Sequence, residues 1–354
     1  MHLAFVISIR SHGGVKTWML EAALALRELG CRCTFFVRPG PYMDKVAAAG
    51  LCALPFPRGM DFSPLAVHKF WRFFKSEKVD AVTVNVSKDL RTAGLAARLA
   101  GVPLVQRIGL PDDMHNSPKV RALHHLLRPR YLFPCCYNRD GFLKRLPCVE
   151  PADCMVVHTG KIPAAAPKSQ MGRPLRILAS SQLTPNKGHA ELLDNLATLK
   201  SEGHKFYAHI LGIGPEESAL RRQSAALGLE NDISWHGLQA DVYAFLRRAD
   251  VFVLPSREEG LPNTLLEAMS QGLIPVARDV GGVKEIWPQA GLDGLLFGSK
   301  PGDLTAALKV VFNAEHEQLL AWSDVALNQC REVFDQSVQA RRLYDWYASL
   351  AQRQ

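Results

Sequence analysis

Two glutamates, Glu259 and Glu267, lie eight positions apart in the segment SREEGLPNTLLEAMSQGLIPVA, residues 256–277. An apolar run before the segment predicts a buried strand, and a loop rich in glycine and proline then leads into a helix near Pro262 or Asn263. A helix start has unpaired N–H groups that attract an anion, and each carboxylate can accept hydrogen bonds from hydroxyl groups. This spacing suits a ligand with an anionic centre and hydroxylated ends, which is the layout of a nucleotide diphosphate sugar.

Other residues with useful chemistry lie in short loops. Lys187, in PNKGH, stands just before a predicted helix, where its charge could neutralise a phosphate. Gly13 and Gly14 follow the first predicted strand, and glycine lets the backbone approach a ligand closely. Each residue also has a plainer interpretation, because the charged side chains could be solvated surface groups and the two glycines could form an ordinary tight turn.

The elements that must position these residues alternate between strand and helix patterns from LAFVIS, residues 3–8, onward. A polar, proline-bearing stretch at 164–174 interrupts the alternation, which then restarts at LRILASSQ. Such alternation predicts an α/β fold with parallel sheets, here two Rossmann-like domains facing each other across a cleft. We place the domains at residues 1–166 and 167–336, with ligands at the carboxyl ends of the strands.

Composition narrows the class of protein. The chain has 354 residues and no apolar run long enough to span a membrane. Its first residues become polar too quickly for a signal peptide. The eight cysteines form no CxxC pair, so we expect no zinc site and reduced thiols in a cytoplasmic protein.

Charge is divided unevenly along the chain. Residues 1–168 carry a formal net charge of +12, whereas the remainder carries −4. An anionic partner should therefore meet the first half, and it could be nucleic acid, an anionic membrane surface or a phosphorylated acceptor. No motif typical of nucleic-acid binding accompanies the basic half, so nucleic acid is the weakest of these interpretations.

Two basic, amphipathic segments lie in that first half, at residues 66–78 and 118–130. Both have apolar residues at helical spacing with lysines or arginines on the other faces. An ordinary helix packed on a sheet is the default interpretation. The alternative is a surface helix that docks on anionic lipid at the inner face of the membrane.

The motifs, in their order and spacing, resemble the retaining glycosyltransferases of GT-B type, specifically the GT4 family. The family's E-x7-E signature is similar to the segment from Glu259 through Glu267, and LTPNKGHAELL, LGIGPEESAL and VGGVKEI surround it in the expected order. The resemblance implies sugar transfer from a nucleotide donor with retention at the anomeric carbon, and neither a metal nor another cofactor. It also implies that the last helix, within residues 337–354, crosses back to the first domain.

The resemblance also implies roles for individual residues. Glu267 would hold the ribose hydroxyls, Glu259 would contact the transferred sugar and Lys187 would stabilise the departing diphosphate. The remaining donor-binding positions lie beside these groups, and they are Leu238, Leu261, Pro262, Asn263 and Thr264. All but Pro262, which has no N–H, can contribute backbone donors.

The chain departs from the family pattern at two positions. Many relatives carry an arginine where this chain has Gln182, which can hydrogen-bond a phosphate but brings no charge. Many also carry a histidine near the acceptor side of the sugar, where this chain has Arg107. Arg107 is therefore a candidate for contact with the donor phosphate or an anionic acceptor.

These observations predict a cytoplasmic, peripherally membrane-associated transferase. It would move a hexose from a UDP-sugar, with GDP-mannose as the next choice, to a glycan or lipid-linked acceptor such as lipopolysaccharide core. Two alternatives stay open, which are a sugar-nucleotide epimerase of similar fold and a non-catalytic GT-B scaffold protein. Turnover of the donor without an acceptor would favour the epimerase.

Overall fold

The computed structural model describes residues 1–9, 14–57, 62–110, 114 and 116–352. The chain divides into two compact units, Met1–Gly160 with Gln336–Gln354, and Lys161–Asp335. The first unit therefore ends before the boundary at residue 166 that the linker composition predicts. Its end is set by contacts of the following residues, because Lys161 bonds to the backbone of Phe334 and Ala164 bonds to that of Ser270.

The first unit contains a parallel sheet of seven strands in the order β3-β2-β1-β4-β5-β6-β7. The strands are β1 (His2–Ile7), β2 (Arg32–Val37), β3 (Cys52–Pro55), β4 (Ala81–Val84), β5 (Leu104–Arg107), β6 (Arg130–Phe133) and β7 (Cys154–Val156). All six residues of β1 are buried, although they alternate between the two faces of the sheet. Burial on both faces is typical of a parallel sheet with helices on either side.

Helices cover both faces of this sheet. They are α1 (Gly14–Glu28), α2 (Pro41–Ala48), α3 (Pro64–Ser76), α4 (Ser87–Asp89), α5 (Leu95–Ala100), α6 (Pro118–Leu127) and α7 (Cys136–Arg145). Sequence spacing predicts one regular helix from Arg91 to Ala100, but a π-helical turn, Leu90–Gly94, joins α4 to α5. Just before this turn the carboxylate of buried Asp89 accepts a hydrogen bond from the backbone of Ser8. That contact ties the start of the wider turn to the end of β1.

The last helix belongs to the first unit, as the resemblance implies. The final helix of the chain, Gln336–Ala351, packs on α1, and its Leu343 and Leu350 join the same core as Phe5. The hydroxyl of Tyr347 lies 2.6 Å from that of Thr83 on β4, and both side chains are buried. The predicted return of the chain to its first domain is therefore confirmed.

The second unit contains a parallel sheet of six strands in the order β10-β9-β8-β11-β12-β13. Its strands are β8 (Leu175–Ser180), β9 (Phe206–Leu211), β10 (Ile233–Gly237), β11 (Val251–Leu254), β12 (Ile274–Arg278) and β13 (Leu296–Phe297). The strand β8 starts at the residue where the alternating pattern restarts in the sequence. The prediction of an α/β fold with two parallel sheets is confirmed.

Helices again flank the sheet of the second unit. They are α8 (His189–Ser201), α9 (Glu217–Ala226), α10 (Tyr243–Leu246), α11 (Asn263–Ser270), α12 (Val283–Ile286), α13 (Asp303–Phe312) and α14 (His316–Glu332), and the C-terminal helix described above is α15. In α8 the leucines at 192, 193, 196 and 199 are all buried in the core of the unit. Their spacing of three and four residues places them on one helix face.

The two basic amphipathic segments form helices α3 and α6. Four residues of α3 are buried against the sheet, namely Ala66, Val67, Phe70 and Phe74. The ordinary packed helix accounts for these four, while Trp71 is 37% exposed and Leu65 is 75% exposed. No helix among the described residues is long and apolar enough to cross a membrane.

Candidate functional site

The loop between β11 and α11 carries the first of the two glutamates. Helix α11 begins at Asn263 directly after Pro262, and no side chain caps its start. Glu267 is the fifth residue of this helix, about one turn inside it, as the sequence predicts. The hydroxyl oxygen of Ser256 and the amide oxygen of Asn263 are buried without a hydrogen-bond partner among the described residues. The loop therefore has polar groups that a bound ligand could satisfy.

Glu259 forms an ion pair with Lys187 that the sequence spacing did not reveal. Their Nζ and Oε1 atoms lie 2.6 Å apart, although the residues are 72 positions apart in the chain. The side chain of Lys187 is 20% exposed and that of Glu259 is 12% exposed, so the pair is accessible but partly shielded from water. Lys187 lies in a short 3₁₀ turn, Pro185–Lys187, immediately before α8. A cation and a carboxylate thus lie at one point at the edge of the sheet.

Glu267 forms a second ion pair, with Lys161. The Nζ atom of Lys161 lies 2.9 Å from Oε1 of Glu267, and the lysine side chain is only 2% exposed. The backbone N–H of Lys161 donates to Phe334, which fixes the segment that carries the lysine. Lys161 is not among the residues predicted from the sequence, where its only signal is a lone lysine in VVHTGKIP. The cation holds the carboxylate in place and leaves 16% of the glutamate side chain exposed.

Two glycines bring the loops of this site together. A Cβ atom on Gly188 would lie 2.2 Å from the carbonyl oxygen of Pro255, and one on Gly281 would lie 1.8 Å from that of Glu259. Both residues have a positive φ, which side chains rarely tolerate. Glycine at these positions lets the Lys187 turn and the Gly281 loop pack directly on the backbone that carries Glu259.

A buried arginine, Arg278, forms hydrogen bonds to several of the segments around this site. Arg278 donates to the carboxylate of Glu191 at 2.6 Å, to the carbonyl oxygen of Pro255 at 3.3 Å and to that of Gly298 at 2.8 Å. Its side chain is 4% exposed. Since Glu191 lies in the first turn of α8 and Pro255 directly follows β11, Arg278, at the end of β12, ties the start of α8 to the loop that carries Glu259. Arg278 is also not among the residues predicted from the sequence, because its partners are distant in the chain.

The other predicted donor-binding residues lie around this loop. Leu261 and Pro262 are buried, Asn263 and Thr264 are half-buried, and Gln182 is exposed. Leu238 is 76% exposed at the end of β10. The neighbouring Glu258, interpreted from the sequence as a solvated residue, is also exposed.

Arg107, a candidate in the first unit, is a buried residue at the end of a strand. It ends β5, is 5% exposed and lies over the ring of Trp18 at 4.4 Å from the ring centre. Gly14 begins helix α1, whereas Gly13 lies outside the described residues. No cluster of three or more metal-binding side chains occurs in the part of the chain that the structure describes.

Because His189, two residues after Lys187, is a buried histidine, we expect the stability of the protein to depend on pH. Burial, and to a smaller extent the nearby charge of Lys187, lowers the pKa of His189 from its ordinary 6.5 to about 4. The unfolded chain therefore binds this proton at a higher pH than the folded chain, and stability is lost as the pH falls from 6.5 towards 4. The loss is about 3 kcal/mol at most.

We expect the melting temperature to fall over this interval and the fall to become smaller in His189→Gln. His124 is a second buried histidine whose pKa falls to about 4, so part of the decrease should persist in the variant. An identical pH profile for the wild type and the variant would contradict the assignment.

Two family models match the chain. The model of "Glycosyl transferases group 1" matches residues 164–326, and that of "Glycosyltransferase Family 4" matches residues 12–140. The two together cover most of the chain and correspond to its two units.

Curated relatives match over shorter segments. A Salmonella typhimurium protein provisionally named colanic acid biosynthesis glycosyltransferase WcaL is 33% identical over 181 residues, 49% of this chain and 44% of that protein. The amylovoran biosynthesis glycosyltransferase AmsK of Erwinia amylovora is 33% identical over 127 residues, 34% of this chain and 31% of that protein. The matched regions thus cover less than half the length of each of these relatives.

Solved structures of the same architecture align along the whole chain. A glycosyltransferase from Rickettsia africae aligns with a TM-score of 0.81 at 16% identity and covers 99% of this chain and 98% of that chain. The Anabaena protein HepE, solved in complex with UDP, aligns with a TM-score of 0.79 at 18% identity over 99% and 100% of the two chains. With both family models and this fold, the chain belongs to the GT4 glycosyltransferases and has the GT-B fold.

Proposed function

We propose that this chain is a retaining glycosyltransferase that moves a hexose from a UDP-sugar to a glycan or lipid-linked acceptor such as lipopolysaccharide core. The observation that carries the proposal is the pair of lysine–glutamate contacts around α11, Lys187 with Glu259 and Lys161 with Glu267. One contact lies beside the helix start and the other one turn inside it. Their separation fits a sugar at one end of the donor and a ribose at the other.

The donor would lie along the loop with its diphosphate at the start of α11. Lys187 would balance the negative charge that grows on the diphosphate while the bond to the anomeric carbon breaks. Glu259 would accept hydrogen bonds from the sugar and stabilise the positive charge that develops at that carbon. Glu267, held by Lys161, would accept hydrogen bonds from both ribose hydroxyls.

The acceptor would attack from the face that the diphosphate leaves. Its hydroxyl oxygen forms the new bond to the anomeric carbon while the old carbon–oxygen bond breaks, and a donor phosphate oxygen takes the hydroxyl proton. This route retains the configuration and requires no covalent enzyme nucleophile, metal or other cofactor. Arg107 would supply further positive charge to the donor phosphate or to an anionic acceptor, while Gln182 would contribute a neutral hydrogen bond.

The choice of donor is supported by named relatives and neighbours. HepE has been solved with UDP-glucose, and another solved structure of the same fold is a lipopolysaccharide outer core galactosyltransferase, WaaB. The lipopolysaccharide core biosynthesis protein LpsE of Rhizobium meliloti is 31% identical over 96 residues, 27% of each chain. These names favour a UDP-hexose and a lipopolysaccharide or exopolysaccharide acceptor for this chain.

We also place the enzyme at the cytoplasmic face of the inner membrane. The support is the charge of +12 in residues 1–168 and the outer face of α3, where Leu65 and Trp71 are exposed among Lys69, Arg72 and Lys75. Lysines and arginines near an anionic leaflet each add about 1 kcal/mol of attraction.

A thermal-shift screen of nucleotide sugars tests the proposal. UDP-glucose or UDP-galactose at about 100 times its Kd should raise the melting temperature by about 5–10 °C. In Glu267→Ala the shift should shrink, and Kd for UDP by calorimetry should rise about 10- to 150-fold, since a hydrogen bond to a charged group contributes about 1.5–3 kcal/mol.

Glu258→Ala is the matched control, because it removes an exposed glutamate from the same loop. The shift is measured against each variant's own ligand-free melting temperature, since Glu267→Ala leaves Lys161 buried without this partner. No shift with any nucleotide sugar would favour the non-catalytic scaffold. An epimerised sugar formed without acceptor would identify an epimerase.

A further inference from the structure

Two of the residues that are expected to contact the donor phosphates, Gln182 and Lys187, lie in the same segment between β8 and α8. The segment leaves β8 at the carboxyl end of that strand, the edge at which open α/β sheets bind ligands. Apart from the 3₁₀ turn that ends at Lys187, its backbone is neither helix nor strand. The positions of Gln182 and Lys187 therefore depend on the contacts that hold the two ends of the segment.

A hydrogen bond between side chains joins the first residue of this segment to the residue that follows it. The Nε2 atom of His189 lies 2.8 Å from the hydroxyl oxygen of Ser181, eight positions earlier in the chain. Ser181 directly follows β8, and His189 is the first residue of α8 and is 2% exposed. The bond thus connects the end of a strand to the start of the next helix, with Gln182 and Lys187 between them.

The direction of this hydrogen bond follows from the other ring nitrogen of His189. Burial lowers the pKa of His189 to about 4, so the ring is neutral at neutral pH and carries one proton. Its Nδ1 atom is buried without a hydrogen-bond partner among the described residues. The proton belongs on Nε2, because buried N–H groups without a partner are rarer than unpaired acceptors. Ser181 then accepts from His189 and donates to the carbonyl oxygen of Gln182 at 3.3 Å.

The backbone of the segment is packed closely against its neighbours. A Cβ atom on Gly212, which directly follows β9, would lie 1.8 Å from the carbonyl oxygen of Ser181. Ser181 therefore has a fixed position, which the hydrogen bond transmits to the start of α8. In the same segment, the carbonyl oxygen of Asn186 accepts from the N–H of Arg257 at 2.8 Å. A displacement of the segment would thus also reach the loop that carries Glu259.

A serine beside a histidine could instead be a nucleophile with its general base. Such a base is oriented by a third group, whereas Nδ1 of His189 has no hydrogen-bond partner in the part of the chain that the structure describes. The ring is also buried, and a pKa of about 4 makes it a weak base at neutral pH. The arrangement therefore favours a link that positions neighbouring residues over a covalent step.

We propose that the hydrogen bond between Ser181 and His189 positions the residues that bind the nucleoside diphosphate of the donor. It holds the intervening segment so that Gln182 and Lys187 can both reach the phosphates. The inference rests on the proposed function, since it concerns the donor of that transfer. Ser181 and His189 act through the other two residues and are positioning residues. Loss of the bond should therefore weaken phosphate binding and the stabilisation of the leaving diphosphate together.

Kinetics and UDP calorimetry of Ser181→Ala and His189→Met test this inference. Both variants remove the hydrogen bond, and we expect kcat with a UDP-sugar to fall about tenfold and the Kd for UDP to rise about three- to tenfold. In His189→Gln, whose amide can still donate to Ser181, most of both losses should be absent. The variant that combines Ser181→Ala and His189→Met should be little worse than either single variant, because both changes remove the same bond.

Thr34→Val is the matched control, because it removes the same kind of hydrogen bond from the other unit. The hydroxyl oxygen of Thr34 lies 2.9 Å from Nε2 of His2, and both residues are buried. The control should lower the melting temperature at least as much as Ser181→Ala and leave kcat and the Kd for UDP unchanged. Equal kinetic effects of Ser181→Ala and Thr34→Val, or of His189→Gln and His189→Met, would overturn the inference.

Amide hydrogen exchange separates this result from a failure of the proposed function. In the ligand-free protein the amides of Leu183 and Lys187 donate to Ile213 and Thr184. Both should exchange faster in Ser181→Ala than in the wild type, while the amides of β8 should not. Unchanged exchange of both amides would show that the hydrogen bond does not hold the segment. Failure of UDP to bind the wild type would instead overturn the proposed donor chemistry and, with it, the role of the segment in phosphate binding.

Discussion

Replacing Lys187 by alanine is expected to lower kcat for sugar transfer by about 10²–10³-fold. The charge of this lysine lies 2.6 Å from Glu259, beside the start of α11 where the diphosphate would develop negative charge. Since that charge grows as the bond breaks, the loss should appear mainly in kcat and less in the Kd for the donor. Initial rates with a UDP-sugar, together with calorimetric Kd values for UDP, separate the two effects.

Lys200→Ala is the matched control for this prediction. Lys200 lies near the end of α8, the helix that follows the Lys187 turn. It also forms an ion pair with a carboxylate, that of Asp232 at 2.6 Å, but 43% of its side chain is exposed. Loss of such a surface pair should change stability by no more than about 1 kcal/mol and leave kcat unchanged.

Glu259→Ala completes a double-mutant cycle with Lys187→Ala. Because the two side chains are in contact, the double variant should lose less activity than the product of the single losses. Unchanged kcat in both single variants would remove this pair from the mechanism.

Replacing Gly281 by alanine is expected to abolish most of the activity while the chain still folds. The new Cβ would lie 1.8 Å from the carbonyl oxygen of Glu259, and a backbone atom cannot rotate away as a side chain can. The Glu259 loop must therefore shift, and a displacement of about 1 Å at a reacting group can cost about 10²-fold in rate. Overpacking of this kind also lowers stability by about 1–3 kcal/mol.

Gly228→Ala separates this overlap from backbone strain. Gly228 also has a positive φ, +68° against +56° for Gly281, but a Cβ there meets no atom within 4 Å. It should carry only the strain of the left-handed conformation, about 1–2 kcal/mol. Denaturant unfolding of both variants, measured beside their kcat values, gives the comparison. Equal effects of the two substitutions would show that the contact with the Glu259 backbone has no special role.

The fold followed from local patterns in the sequence. In a parallel sheet with helices on both faces, each strand is a continuous apolar run, as in β1 and β11, where every residue is buried. Such runs alternate visibly with amphipathic helices such as α8. Glu259 and Glu267 were also identified, because their spacing and the helix start between them are properties of one short segment.

The partners of these glutamates depended on contacts that no local pattern contains. Lys161 is 106 positions from Glu267, Lys187 is 72 positions from Glu259, and Arg278 is 87 positions from Glu191. For the same reason, linker composition predicts a domain boundary at residue 166, whereas the second unit begins at Lys161. Composition does not show that the backbone of Lys161 bonds to Phe334 of the second unit.

The sequence by itself determined the two parallel sheets, the family resemblance and the segment that carries both glutamates. Only the tertiary structure decided which lysine holds each glutamate. The physical reason is the range of the interactions. Helix and strand periodicity is a property of residues within about a dozen positions, whereas an ion pair forms wherever packing of the sheets brings two side chains within reach.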